Sequence, residues 1–175
     1  RKSSIGLTKS LWNDDKRYID NYWSVIEDYW VHGDLASRDA DGHWYLHGRS
    51  DDTIKVSGKR IGPSELESVI VKSGKAKEVA AVGIPDENKG SKIILSIVPA
   101  ENNDQKESFF EDLVIKDLGK SFKPDKVIFV KDLPKTRNMK IMRRVIKSCL
   151  ANQDPGDLST LLNPESVEEI RSHAI

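Results

Sequence analysis

Three segments of this 175-residue chain combine residue types that could act on an anionic substrate. The first, Tyr29-Trp-Val-His-Gly-Asp34, ends on a carboxylate whose two oxygens can accept hydrogen bonds from vicinal hydroxyls, as a ribose presents them. Taken alone, Asp34 is better explained as a turn residue at the start of a strand. The second, Gly48-Arg-Ser-Asp-Asp-Thr-Ile-Lys-Val-Ser-Gly-Lys-Arg-Ile-Gly62, holds Arg49, Lys59 and Arg60 between two glycine-bounded turns. The third, Leu133-Pro-Lys-Thr-Arg-Asn-Met-Lys140-Ile-Met-Arg-Arg144, is a proline-led loop carrying Lys140 just ahead of a helical pattern. A compact ammonium on a long stem can project from such a loop into a neighbouring site.

Other chemistries find little support. His43 and His47 lie four apart on an expected strand, and no carboxylate or cysteine completes a ligand set, so no metal site is expected. Neither a Gly-x-x-x-x-Gly-Lys-Ser/Thr phosphate loop nor a Gly-x-Ser-x-Gly elbow occurs. Any ATP chemistry would therefore draw its phosphate ligands from elsewhere. Lys+Arg and Asp+Glu both number 28, so formal charge cancels and no global field favours nucleic acid or an anionic membrane. The mean hydropathy is −0.54, and no apolar run approaches the roughly 18 residues of a membrane helix. One cysteine, Cys149, excludes an intrachain disulfide and favours a reducing, cytoplasmic setting.

Charge is uneven locally. Residues 131–147 carry seven basic groups and one acidic (7 − 1 = +6), and residues 148–175 carry one Arg against five acidic groups (1 − 5 = −4). Solvated helix faces are the simplest expectation; mutual docking of the two segments, or an anionic ligand, are the alternatives.

Turn and period signals supply the elements that must position these groups. Asp34–Arg38 and residues 43–47 read as a hairpin around Asp39-Ala-Asp-Gly42. Residues 53–56 and Lys59–Ile61 flank Ser57-Gly58 as a second one. Gly62-Pro63 opens a helix over 64–73, strands are expected at 78–84 and 93–99, and Asp104 with Glu107 reads as a capping box. A strand at 127–130, a helix at 141–150 and a short helix from Glu165 complete the chain. The order ββαββαβα over about 52–150 predicts an α+β domain, a small mixed sheet and short hairpin with flanking helices, folding on its own. Residues 1–30 hold Trp12, Tyr18, Tyr22, Trp23, Tyr29 and Trp30, with no evident partners within that length. With the missing initiator Met, they suggest the end of a larger domain and a poorly packed segment.

The three motifs, in this order and spacing, resemble the C-terminal portion of AMP-forming acyl-CoA synthetases, most closely the acetyl-CoA synthetase branch. That family shows Trp/Tyr-x-x-Gly-Asp, then Gly-Arg-x-Asp-Asp-x-Ile-x-x-Ser-Gly-x-Arg-Ile-Gly, then Pro-Lys-Thr-Arg-Ser-Gly-Lys-Ile-Met-Arg-Arg. Asp39-Ala-Asp-Gly-His-Trp, Val79-Ala-Ala-Val-Gly-Ile-Pro with Lys89-Gly90, and the tail Gly156-Asp-Leu-Ser-Thr extend the match over essentially the whole chain.

The resemblance implies a function: carboxylate, ATP and CoA to acyl-CoA, AMP and pyrophosphate, with acetate or another short- or medium-chain acid. It makes 1–50 the end of a large AMP-binding domain, 51–150 the mobile C-terminal domain and 151–175 a tail. Asp34 and Arg49 would bind ATP or AMP, Asp51 would be the hinge, and Lys140 the catalytic residue of adenylate formation. Ser57, Gly58 and Arg60 would serve CoA, with Gly58 leaving room beside a narrow pantetheine tunnel; Lys116 would stand in for a further CoA-phosphate arginine. Mg²⁺ would be held chiefly by the preceding domain, and the fragment alone would be inactive. Lys140 would also be open to acylation, its free-amine fraction raised by Arg137, Arg143 and Arg144 nearby.

This sequence has Asn138-Met139 where the family has Ser-Gly. Asn138 tolerates a left-handed backbone better than Met139 and is expected to take over part of that role; either the loop follows a different path, or Lys140 is less well placed and adenylation is slow. The departure keeps a catalytically degenerate binding module in view; within the superfamily, the other alternative is an adenylation domain that loads a carrier protein, against which the tail and Ile-Met-Arg-Arg speak. A neutral pI argues against RNA as a partner.

Overall fold

Two adjacent, nearly uninterrupted apolar runs, with 3.6-residue periods on either side of them, lay a sheet between two helical layers. The computed structural model describes residues 5–101 and 104–175. The chain divides into two compact units, residues 1–34 and 35–175.

In the first unit, α1 (Asp15–Tyr22) is capped by Asp14, whose side chain accepts from Arg17 N. Its apolar face does find partners within the unit: Tyr18 is buried, its hydroxyl donates to Thr8 O (2.6 Å), and Tyr22 stacks on Trp30 with centroids 5.2 Å apart. Trp12 stays outside, 93% exposed, and Tyr29 is half exposed. The expectation of an unpartnered aromatic stretch is therefore corrected, because α1 turns its rings onto the returning residues 30–32.

The second unit runs β1 (Asp34–Arg38), β2 (Trp44–Arg49), β3 (Ile54–Val56), β4 (Lys59–Ile61), α2 (Pro63–Lys72), β5 (Ala76–Asp86), β6 (Gly90–Pro99), α3 (Glu107–Leu118), β7 (Lys126–Phe129), α4 (Arg143–Leu150) and α5 (Glu165–Arg171). β1–β2 and β3–β4 are two-stranded; β5–β6–β7 form one sheet, antiparallel between β5 and β6 and parallel between β6 and β7. This is the expected α+β class. Strands β5 and β6 are longer than the sequence reading, since their pairing runs from Ala76↔Pro99 to Asp86↔Gly90, up to a tight turn at 87–89.

The pairs Val79↔Ile97 and Ala81↔Leu95 face Leu66, Ile70, Phe110 and Val114 of α2 and α3. Val82↔Ile94, one residue out of phase, faces Val145, Ile146, Leu150 and Ile170 of α4 and α5. A one-residue slip would exchange these faces, so the two cores lock the register. α2 begins with Pro63 at its first position, and Gly62 N–H donates to Glu65 Oε1 (2.9 Å). The expected capping box at Asp104 is not formed. α3 starts at Glu107 itself, so Glu107 cannot reach back as a third-position acid, and Asp104 instead pairs with Lys75 (3.3 Å).

Ser96 is the polar exception in the second core. It is fully buried opposite Ala80, and its Oγ has no hydrogen-bond partner among the described residues. An unpaired buried hydroxyl costs on the order of 1–3 kcal/mol. Ser96→Ala should raise the melting temperature by roughly 2–4 °C; a lower melting temperature on calorimetry would refute this account of the packing.

Candidate functional site

The second motif folds as β3–β4 with a two-residue turn. Ser57 (φ 49°) and Gly58 (φ 78°) both take positive φ, as the tight turn that suits strand twist requires. A β-carbon at Gly58 would meet nothing within 4 Å, so within this chain glycine answers a backbone demand and not a steric one. Ser57 N donates to Lys89 O (2.9 Å), which fixes the turn beside the β5–β6 turn. Lys59 Nζ donates to Ser121 Oγ (3.1 Å) and lies over the Phe122 ring, while Arg60 is exposed on β4. An open depression beside the turn is lined by Ser57, Lys89, Glu111, Lys120 and Lys123. Lys116 is exposed in the last turn of α3.

Upstream, Arg49 and Asp51 form a two-pronged pair, Nε to Oδ1 at 3.0 Å and an Nη to Oδ2 at 3.2 Å. That bond from Arg49 is the main reason Asp51's carboxyl lies below the usual range. Asp52 is shifted the other way, first by burial and then by the charge of Asp51. Asp34 pairs with His32 in the first unit.

Lys140 lies exposed in a loop of unusual regularity. Thr136 N donates to Lys140 O (2.9 Å), Met139 N to Thr136 O (2.8 Å) and Lys140 N to Thr136 Oγ1 (3.2 Å), while Lys135 and Ile141 form an antiparallel bridge. The positive φ falls on Met139 (60°) and not on Asn138 as expected. The three bonds to Thr136 set the path and dictate which residue turns left-handed. Holding Met there costs on the order of 1–2 kcal/mol.

Of the flanking arginines, Arg143 and Arg144 are engaged with partners other than Lys140. Arg143 Nε and Nη2 bond Glu67 Oε1 (2.9 Å) and Oε2 (2.6 Å), and Glu67 Oε1 also accepts from Ala81 N on the free edge of β5. Arg144 donates to the carbonyls of Pro155 and Asp157 in the tail. The basic segment thus docks on the acidic tail, through its main-chain carbonyls more than its carboxylates. Docking of the two segments was one of the alternatives the charge pattern left open, but the Arg144 partners and the Glu67–Arg143 clamp were not legible; the partners are separated by 11 to 76 positions.

Burial singles out another lysine. Lys135 has a side chain only 7% exposed, set between Glu78 Oε2 (2.7 Å) and Asp132 Oδ1 (2.6 Å). Burial alone would lower its pKa, and the bonds to Asp132 and Glu78 outweigh it and raise the ammonium above its usual value. Asp132 is correspondingly low: burial pushes it up, but bonds from Lys135, Leu133 N and Asn163 prevail. The expectation of a solvated charge run fails here.

The β1–β2 turn brings Asp39, Asp41 and His43 within 4.8 Å, a grouping not foreseen. Asp39 already accepts from His43 N (2.8 Å), Tyr45 Oη (2.9 Å) and the His43 ring (3.1 Å), which accounts for the cluster as a turn.

The motif residues therefore fall into separate groups. The base of the Lys140 loop sits beside Glu78 at one end of β5, and the Ser57–Gly58 turn beside Lys89 at the other. At roughly 3.3 Å per residue, β5 from Glu78 to Asp86 spans about 26 Å. One small substrate cannot touch both loops at once.

Residues 65–140 match the family model described as the AMP-binding enzyme C-terminal domain. The chain is 42% identical over 171 residues to acetyl-coenzyme A synthetase of Methanothrix thermoacetophila, covering 94% of this chain and 26% of that protein. It is 36% identical to propionate–CoA ligase of Escherichia coli, covering 95% and 28%. It thus spans about a quarter of the length of the curated relatives it matches. Among solved structures, ATP-bound MatB from Rhodopseudomonas palustris superposes with a TM-score of 0.69 at 25% identity, over 79% of this chain and 27% of that one. Acetoacetyl-CoA synthetase from Streptomyces lividans, at 21% identity, shares the fold over 91% of this chain with a TM-score of 0.78.

Proposed function

We propose, on the premise that residues 65–140 are an AMP-binding enzyme C-terminal domain, that this chain is the mobile C-terminal part of an acid–thiol ligase. The complete protein activates acetate or another short-chain acid with ATP as acyl-AMP, then transfers the acyl group to CoA and releases AMP. The observation that carries the reading is the distance between the two motif loops along β5. A domain with a cationic loop at one end and a glycine turn near several lysines at the other must turn to present each to one active site.

Lys140 is the catalytic residue of the first step. Attack of a carboxylate on the α-phosphate brings two anions together, and a positioned ammonium offsets that repulsion where charge shifts in the transition state. Mg²⁺ supplies further charge neutralisation when bound, on ligands that lie chiefly outside this chain. Ser57, Gly58 and Arg60 serve the second step. Arg60 offers a forked donor to a CoA phosphate, and the lysines around the depression add cationic character. The tunnel that Gly58 admits must be completed by the preceding domain, because this chain puts nothing opposite its β-carbon position.

Residues 1–50 belong with that preceding domain, whose apolar surface would cover Trp44 and Leu46, 69% and 76% exposed on the β1–β2 hairpin. Asp51 is the hinge. Bonds around it include the Arg49–Asp51 pair, Thr53 Oγ1 to Arg49 O (3.4 Å) and Ser64 Oγ to His47 O (3.2 Å). Asp34 and Arg49 bind the nucleotide, Asp34 through the ribose hydroxyls. Relatives that are acetyl-CoA synthetases and propionate–CoA ligases support CoA over a carrier protein as acceptor. In the described residues no helix is long and apolar enough to cross a membrane.

The test is the product set. The complete protein should yield acyl-CoA, AMP and pyrophosphate in equal amounts from acetate or propionate, ATP and CoA, and the 175-residue chain none. ADP and phosphate as products would overturn the reading.

A further inference from the structure

The tail contributes more than ballast to the Lys140 loop. Lys135 N donates to Asn163 Oδ1 (3.0 Å), and Lys135 O accepts from Leu162 N (2.8 Å). Thr136 and Leu161 form an antiparallel bridge. Asn163 Nδ2 donates to both Asp132 Oδ2 (2.7 Å) and Leu133 O (2.8 Å). Asn163 is 6% exposed, and its amide thus satisfies polar atoms on three residues of the 132–135 segment. Across the loop, Lys135 bridges Ile141, and Thr136 donates to the Lys140 carbonyl. Residues 135–136 are the middle member of a three-part patch, with the tail on one side and Lys140–Ile141 on the other.

We infer that Asn163, with the tail main chain at 161–162, is a positioning residue for Lys140; this rests on the proposed role of Lys140 in adenylate formation. The tail holds 135–136 in place, and those residues hold the backbone that carries the ammonium. Anchoring of the tail itself does not need Asn163's amide. Val167 and Ile170 of α5 are buried in the second core, and Ser166 Oγ bonds the Asn163 carbonyl. The amide is directed instead at the loop, where a strained Met139 leaves less intrinsic preference for the productive path. Loss of the bonds should loosen the loop without dissolving the sheet beneath it, a local opening of the kind seen by amide exchange.

The experiment uses the complete synthetase with Asn163→Ala and, as a second variant that leaves the Asn163 side chain in place, Leu162→Pro, which removes the N–H that Lys135 O accepts and also fixes φ at 162 and restricts Leu161. Amide exchange at Thr136 and Met139 should accelerate about tenfold or more, while β5 and β6 amides stay protected. ATP–pyrophosphate exchange should fall about tenfold in kcat, with KM for ATP little changed, and CoA attack on supplied acyl-AMP should hold. Unchanged exchange at Thr136 and Met139, or equal loss in both half-reactions, overturns the inference. Lys140→Ala is run beside them. If it abolishes adenylate formation while loosened tail variants do not, the positioning role alone fails; if Lys140→Ala itself leaves adenylate formation intact, the proposed role of Lys140 fails with it.

Discussion

On the proposed function, Lys140→Ala in the complete protein should lower acyl-adenylate formation by about 10²–10³-fold, the range for loss of one preorganised electrostatic donor. CoA attack on supplied acyl-AMP should keep nearly its full rate. The selectivity follows from geometry: Lys140 is carried on a loop fixed beside Glu78, far along β5 from the Ser57–Gly58 turn. Removing an exposed ammonium disturbs no packed neighbour, and the loop bonds at Thr136 involve main-chain atoms that alanine retains. A fall in rate is therefore chemical and not a loss of fold. ATP–pyrophosphate exchange reads the first half-reaction directly, and equal retention of both would remove Lys140 from the mechanism.

Gly58→Leu should give the mirror result. Thioester formation from supplied acyl-AMP should fall by at least about 10²-fold, because a misplacement on the ångström scale beside a reacting group has that effect. Adenylate formation should persist. The chain itself tolerates the side chain sterically, since no atom lies within 4 Å of the new β-carbon, although the positive φ of 78° adds strain on the order of 1–3 kcal/mol. Gly58→Ala shares that strain but lacks the bulk, so it separates the two effects. If alanine and leucine are equally damaging, strain in the turn and not an obstructed tunnel explains the loss.

Local chemistry made much of this fold legible. Ser57-Gly58 between two short apolar runs fixes a hairpin, Gly62-Pro63 starts a helix, and uninterrupted apolar strands predict a sheet buried on both faces. Long-range satisfaction of charge was not legible. Nothing in Pro134-Lys-Thr136 distinguishes Lys135, which is buried, from Lys140, which is exposed; only Glu78, Asp132 and Asn163 decide it. Glu67 reads as an ordinary helix-surface acid until the edge of β5 leaves Ala81 N–H needing an acceptor. Met139 shows the same limit at one residue. Intrinsic preference favours Asn138 for the left-handed position, and three bonds to Thr136 override it. The motif lysine and glycine were readable because they stand in turns, where local residue type governs; the shell that positions Lys140 was not, because it is assembled from segments dozens of residues apart.

On the proposed function, one domain presents two different ends to one active site in turn. The most direct measurement is lysine footprinting by mass spectrometry on the complete synthetase in two ligand states. With the carboxylic acid and a non-hydrolysable ATP analogue, Lys140 should be protected and Lys59, next to the Gly58 turn, should label freely. With a stable acyl-AMP analogue and CoA, the pattern should reverse. Protection of both lysines in the same state, or of neither in either state, would contradict the account.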